Sequence, residues 1–408
     1  MYILTNKVVM QEMPKMNSSE KDRQLLIDKE RKFHEGRWRD RSVSEQGWLK
    51  KKTPYAIMWD EARRDDADFE KRQHAEFEAW QKNLAVVIEG FKERANNPET
   101  SDRKTLIVIL GGGMKCAYAA GQVMGLNALG ITADKVDAVV GASGGTVVAT
   151  AHVEGKEATI QAAHMMGGPM SSPDFIDPSL KRFKEGKVIN LQLLGETMGE
   201  PGGEYAIHED EIRKTSTELW YTMTLPHAGD GNPPVKFLNA KDPKEVPSMV
   251  EAIKASMSLH PRLTGPAGVI NGVEYRDGAI SPLPIEEIIK HFKPTDVLIL
   301  PQLPYEYLAD VKPSTSERIG STLAKVAGYD AVAKGLVSRT ELRKSFELIQ
   351  QQEHVNIGVM WPPDGGLSTL SINSGEFKAA VVASFRDTFK QFGAGEPSEL
   401  PFVDSETK

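Results

Sequence analysis

The chain has 408 residues and a formal net charge of −7, with 40% hydrophobic and 26% charged residues. That length suits one large α/β domain with an appendage, or two domains, and the composition suits a mostly globular chain. The acidic balance argues against a general nucleic-acid binder, and no apolar stretch reaches the roughly 20 residues of a transmembrane helix.

The start, Met1 to Lys7, lacks the basic opening and continuous apolar core of a signal peptide. A cytoplasmic location is expected, and export without a cleavable signal would leave the same sequence. The single cysteine, Cys116, excludes an intrachain disulfide and a cysteine-based metal site.

Residues 1–104 are densely charged and slightly basic, while the remainder holds the acidic excess. Residues 17–47 carry few large apolar side chains and read as loosely ordered or as exposed helix. In Trp48-Leu49-Lys50-Lys51-Lys52 an aromatic, an aliphatic and three lysines could meet an anionic membrane surface, although a solvated basic loop is the plainer reading. From about Asp60 to Ala95 a helix is expected. Phe69, Phe77, Trp80, Leu84, Val87, Ile88 and Phe91 form one apolar stripe, and Asn96-Asn97-Pro98 ends it. Packing of this stripe on the main domain is favoured over a partner-binding or membrane-facing role.

After Ser101-Asp102 the pattern changes. Thr105 to Leu110 is a continuous apolar run, as in a strand buried on both faces. Gly111-Gly112-Gly113 follows, then a helix from Met114 to about Leu129. Val136–Val140 reads as the next buried strand and Gly144–Val153 as the next helix. Residues 167–234 are rich in Gly and Pro without clear periodicity and are expected to form a surface subregion or lid. Further strands are expected at Val235–Ala240, Val269–Tyr275, Asp296–Pro301 and Val355–Trp361. Helices are expected at Glu245–Met257, Leu283–His291, Thr315–Gln352 and Glu376–Phe392, with a disordered tail over 393–408. Alternating strands and helices imply an α/β fold with a largely parallel sheet covered on both faces.

Gly141-Ala142-Ser143-Gly144-Gly145 follows the second buried strand and opens a helix, which is the context of a nucleophile elbow. Glycines permit the tight turn, and the helix N-terminus favours developing negative charge. Gly111-Gly112-Gly113, at another strand end, could supply backbone N–H groups to an oxyanion. Neither the Gly-Lys-Ser/Thr of a P-loop nor Gly-x-Gly-x-x-Gly follows. Of the late histidines, His291 lies at a helix end and His354 before a strand, and neither has a loop setting that would present it to a serine. Asp277, in Arg276-Asp277-Gly278-Ala279, sits at a strand end before a turn glycine and ahead of a helix.

These three segments, in this order, resemble those of the patatin-like phospholipase family. Gly111-Gly112-Gly113-Met114-Lys115 is similar to that family's oxyanion loop, Gly141 to Gly145 to its elbow, and Asp277-Gly278-Ala279 to its aspartate motif. Ala255-Ser256 with Pro261 resembles the segment ahead of that aspartate. The family's loop continues with a glycine where this chain has Cys116, read here as a small helix residue. The likeness covers roughly residues 105–301 and nothing in 1–104.

The resemblance implies a three-layer α/β/α domain over 105–392. The polar, mainly helical segment before it, residues 1–104, lies outside the likeness and is read as a regulatory or targeting extension. It also implies a serine hydrolase of phospholipase A or lysophospholipase type, acting in lipid degradation. Ser143 would be the nucleophile and Asp277 the base of a catalytic dyad. Gly111, Gly112, Gly113 and Gly144 would form the oxyanion hole, supported by Gly141, Gly145, Lys115 and Gly278. Lys115 adds positive charge near the loop or is simply a solvated helix charge. No cofactor or metal is expected, and no EF-hand pattern is present.

The expected partners are a phospholipid or other acyl lipid, a membrane surface met peripherally, and a protein or small-molecule activator acting through 1–104. Met114, Met165 and Met166 could line an acyl groove or be plain core. A His-dependent esterase and a catalytically silent binding protein of the same fold remain the competing readings.

Overall fold

In the computed structural model the described residues run from 67 to 402. The exceptions are 178, 227–233, 260, 280–282, 304, 306–345, 347–353, 364–366 and 368–370. The basic patch at 48–52 and nearly all of the helix expected at Thr315–Gln352 lie outside them.

Helix α1 spans Ala67–Asn96, and β1 (Thr105–Ile109) leads through a 3-10 turn at Gly113–Lys115 into α2 (Cys116–Ala128). Strand β2 (Ala138–Ala142) is followed by α3 (Gly144–Glu154) and α4 (Lys156–Gly167). Next come α5 (Leu191–Gly199), α6 (Glu209–Lys214), β3 (Glu218–Thr224), β4 (Val235–Asn239) and α7 (Met249–Ser256). A hairpin of β5 (Gly268–Ile270) and β6 (Val273–Tyr275) precedes α8 (Ile285–Phe292), β7 (Asp296–Leu300), β8 (Asn356–Val359) and α9 (Ser374–Gln391).

The main sheet has the order β4-β3-β2-β1-β7-β8. Every neighbouring pair is parallel except β3–β4 at one edge. All five residues of β1, β2 and β7 are buried. Their unbroken apolar runs follow from cover on both faces. On one face, Ile107, Ile109, Val139, Tyr221 and Leu298 pack with side chains of α2, α3, α4, α7 and α9. On the other, Leu106, Val108, Val140, Trp220 and Ile299 pack with Ile285, Ile288 and Phe292 of α8. The architecture is therefore a mixed α/β fold with a mostly parallel central sheet between two helical layers.

Helix α1 packs on the main domain as expected, but several other features differ, the first of them the boundary at residue 105. Leu84, Val87, Ile88 and Phe91 join one apolar cluster and Trp80 the other, so the structural unit begins well before residue 105. Residues 167–234 contain β3, an interior strand of the sheet, so they are not wholly a surface subregion; the polar ends of Glu218-Leu219-Trp220-Tyr221-Thr222-Met223-Thr224 had masked it.

The single strand expected at Val269–Tyr275 is a hairpin. Asn271 and Gly272 take φ of 51° and 77°, the backbone that Asn-Gly favours in a two-residue turn. The tail is packed as far as it is described: Leu400 is buried in the core and Arg386 pairs with Glu396.

Candidate active site

Strand β2 ends at Ala142, and Ser143 turns into α3 with φ 50° and ψ −131°. Such a backbone costs an L-residue roughly 1–3 kcal/mol and persists only where its surroundings impose it. The surroundings here are tight. A Cβ at Gly141 would lie 2.8 Å from Thr146 Cα, and one at Gly145 would lie 2.6 Å from the Ile109 carbonyl oxygen. Thr146 donates to the Ser143 carbonyl from its amide at 2.9 Å and from its hydroxyl at 2.6 Å.

Sheet register brings Asp277 to the same place. Ala142 pairs with Thr222 on β3, and two residues on, Thr224 bridges Arg276 through hydrogen bonds of 3.0 and 2.8 Å. The residue after this bridge is Asp277. Its carboxylate accepts the Ser143 hydroxyl on Oδ2 at 2.7 Å and the Ala279 amide on Oδ1 at 2.8 Å. Asp277 is 1% exposed and Ser143 7%. Burial pushes the Asp277 carboxyl up to about 6, against the opposing pull of the Ser143 and Ala279 hydrogen bonds.

The glycine loop borders this pair. The Leu110 amide donates to the Leu300 carbonyl at 3.1 Å, holding the end of β1 to β7. A Cβ on Gly111 would come within 2.7 Å of Ser143 Cβ and 2.8 Å of Ala279 Cβ. One on Gly112 would come within 2.5 Å of Gln302 Cβ. Gly113 has φ 57°, and its carbonyl oxygen would lie 3.0 Å from a Cβ on Gly144. Among the described residues, none accepts a hydrogen bond from the amides of Gly111, Gly112 or Gly113. These unspent donors sit beside the serine on one side and the start of α3 on the other. Gly278 packs against the backbone of Thr222.

Lys115 is half-buried in the 3-10 turn. Cys116 is the first residue of α2 and is fully buried, and desolvation raises its thiol to about 12. It is thus a packed side chain beside the elbow rather than a nucleophile. Met114, Met165 and Met166 are core residues.

The structure brings neither weighed histidine to Ser143. His291 stacks edge-on with Trp220 and Phe292, at centroid distances of 4.6 and 4.7 Å, under the opposite face of the sheet. His354 is exposed just before β8, at the sheet end away from the elbow. Among the described residues there is no cluster of three His, Cys, Asp or Glu able to hold a metal, and no helix long and apolar enough to cross a membrane.

Two neighbours of the site escaped the sequence reading as contributors. Gln302 is 2% exposed and backs Gly112, and the side-chain hydroxyl of Ser256 accepts the Ser143 amide. Only Ser256 left a signal, within Ala255-Ser256.

No protein-family model matches the sequence, and no curated protein does. Two solved structures share a weak overall likeness. VipD from Legionella pneumophila superposes with a TM-score of 0.34 at 13% identity, over 72% of this chain and 67% of that one. A chain in the complex of full-length SpcU with full-length ExoU, from the type III secretion system of Pseudomonas aeruginosa, superposes with a TM-score of 0.24. That match has 16% identity and covers 59% of this chain and 53% of that one.

Proposed function

We propose that this protein is a lipid acyl hydrolase that cleaves carboxylic esters through a Ser143 acyl-enzyme. The observation that carries the reading is the 2.7 Å hydrogen bond from Ser143 Oγ to buried Asp277 Oδ2, made at a strained elbow beside free glycine amides. Asp277 takes the hydroxyl proton as Oγ attacks the ester carbonyl. Negative charge then develops on the carbonyl oxygen, where the amides of the Gly111–Gly113 loop and the N-terminus of α3 stabilise it.

Collapse of the tetrahedral intermediate expels the alcohol, which carries away the proton held by Asp277. Water, deprotonated by the same carboxylate, then attacks the acyl carbonyl, and Asp277 returns that proton to Ser143 Oγ as the fatty acid leaves. Burial supports this role, because a carboxylate raised toward 6 is a stronger base than one in water.

The substrate class, a phospholipid or other acyl lipid, rests on the motif resemblance. A peripheral encounter with a membrane and an activator acting through residues 1–104 belong to the same proposal. The test is turnover of mixed membrane lipids and a short-chain ester by wild type, Ser143→Ala, Asp277→Asn, His291→Ala and His354→Ala. The expected outcome is fatty-acid release by wild type and both histidine variants, and loss of at least roughly a thousandfold in the other two. Full activity of Asp277→Asn, or loss with either histidine variant, overturns the dyad.

A further inference from the structure

Three backbone amides of the site converge on one short stretch of chain, Ser256–Ser258, at the end of α7. The Ser143 amide donates to Ser256 Oγ at 2.9 Å, and that hydroxyl donates to the Thr222 carbonyl at 2.8 Å. The Ser256 carbonyl accepts the Gly278 amide at 3.0 Å, and the Ser258 carbonyl accepts the Asp277 amide at 2.7 Å. Ser256 is 0% exposed and Ser258 2%. The donor and acceptor roles are forced: an amide only donates and a carbonyl only accepts, so the Ser256 hydroxyl must receive from one and give to the other.

We infer that Ser256 is a positioning residue that sets the elbow of Ser143 against Asp277. Its hydroxyl holds the amide of the nucleophile, and its own carbonyl holds the amide next to the base. Both partners are therefore referenced to one residue. The inference has a consequence for the oxyanion hole, and in that part it rests on the hydrolase reading above. The Ser143 amide is already committed to Ser256, so the oxyanion falls to the loop amides and to the start of α3. Without the hydroxyl, the Ser143 amide and the Thr222 carbonyl would be left buried and unpaired. The backbone at φ 50° would then lose one of the contacts that impose it.

The test uses the full chain with Ser256→Ala, and with Ser256→Thr, which restores a hydroxyl. The first readout needs no activity: hydrogen–deuterium exchange of the peptide containing Ser143, with Ser143→Ala as a reference for the elbow. Ser256→Ala should expose the amide at position 143 to exchange at least roughly tenfold faster, and Ser256→Thr should restore slow exchange.

The second readout is kinetic, normalised to sites labelled by a serine-reactive fluorophosphonate. Ser256→Ala should lose roughly 10–100-fold in kcat per labelled site, with KM within about twofold, as expected when the reacting atoms are misplaced while binding is kept. Unchanged exchange at the elbow, or wild-type kcat per labelled site in Ser256→Ala, overturns the inference. An inactive, unlabelled wild type whose amide 143 is released by Ser256→Ala overturns the hydrolase reading alone.

Discussion

Burial pushes the Asp277 carboxyl up to about 6 beside the Ser143 hydroxyl. The proposed base is protonated below that value, so kcat/KM should rise with pH through about 6 and level off above it; a pH–rate profile on a soluble ester checks this. The same shift costs stability. Between the ordinary value of 3.8 and about 6 the folded state binds the extra proton, so stability is lost as pH rises through that window. At pH 7 the cost is on the order of 3 kcal/mol. Asp277→Asn should therefore unfold at higher urea than wild type at pH 7 and at a similar concentration at pH 3.5. Space is equally restrictive at Gly111, where an added Cβ would meet Ser143 Cβ at 2.7 Å. Gly111→Ala should lower kcat at least tenfold while leaving the fold intact by circular dichroism.

Helix α1 shows what an element can do beyond its periodicity. Its apolar stripe read correctly as a packing face, yet its contribution to both clusters of the core emerges only once the sheet is assembled. Deleting residues 1–104 would strip Trp80, Leu84, Val87 and Phe91 from the sheet and expose their partners. That truncation should be insoluble or lose its cooperative transition, whereas one beginning at residue 67 should keep it; thermal melts of the two distinguish the outcomes. Phe91→Ala, at a position 1% exposed, should cost about 3–5 kcal/mol in urea unfolding. Strand β3 makes the converse case. Its threonines and terminal glutamate weaken the apolar signal, although the sheet buries Thr222 and Thr224 completely. Thr224 bridges Arg276 and its hydroxyl donates to the Asp277 carbonyl, while the Thr222 carbonyl accepts the Ser256 hydroxyl.

Across the whole molecule, pH acts through more than one buried group. His152, on the elbow helix, is fully buried with neither ring nitrogen hydrogen-bonded among the described residues, and desolvation lowers it to about 4. The unfolded chain binds the proton below the ordinary 6.5, so stability present above that value is lost as pH falls toward 4, by about 3 kcal/mol in full. From pH 6 down to 4 this loss opposes the gain from protonating Asp277. His152→Leu should remove the loss, so its melting temperature should fall less between pH 7 and pH 4.5 than that of wild type.

The motifs at Gly111–Gly113, Gly141–Gly145 and Asp277–Ala279, the buried strands flanking them and the stripe of α1 were all legible in the chain. Each is a local pattern of small, apolar or turn-forming residues, and local sterics and periodicity act over a few residues. The Asn-Gly turn at 271–272 is just as local a signal, and it splits the apolar run Val269–Tyr275 into two short strands. Only the tertiary structure decided that Ser143 and Asp277, 134 positions apart, share a hydrogen bond, that the histidines lie elsewhere, and that Ser256 holds the elbow. Those facts depend on sheet order and on the Ala142–Thr222 and Thr224–Arg276 registers, which arise from packing between segments far apart in the chain.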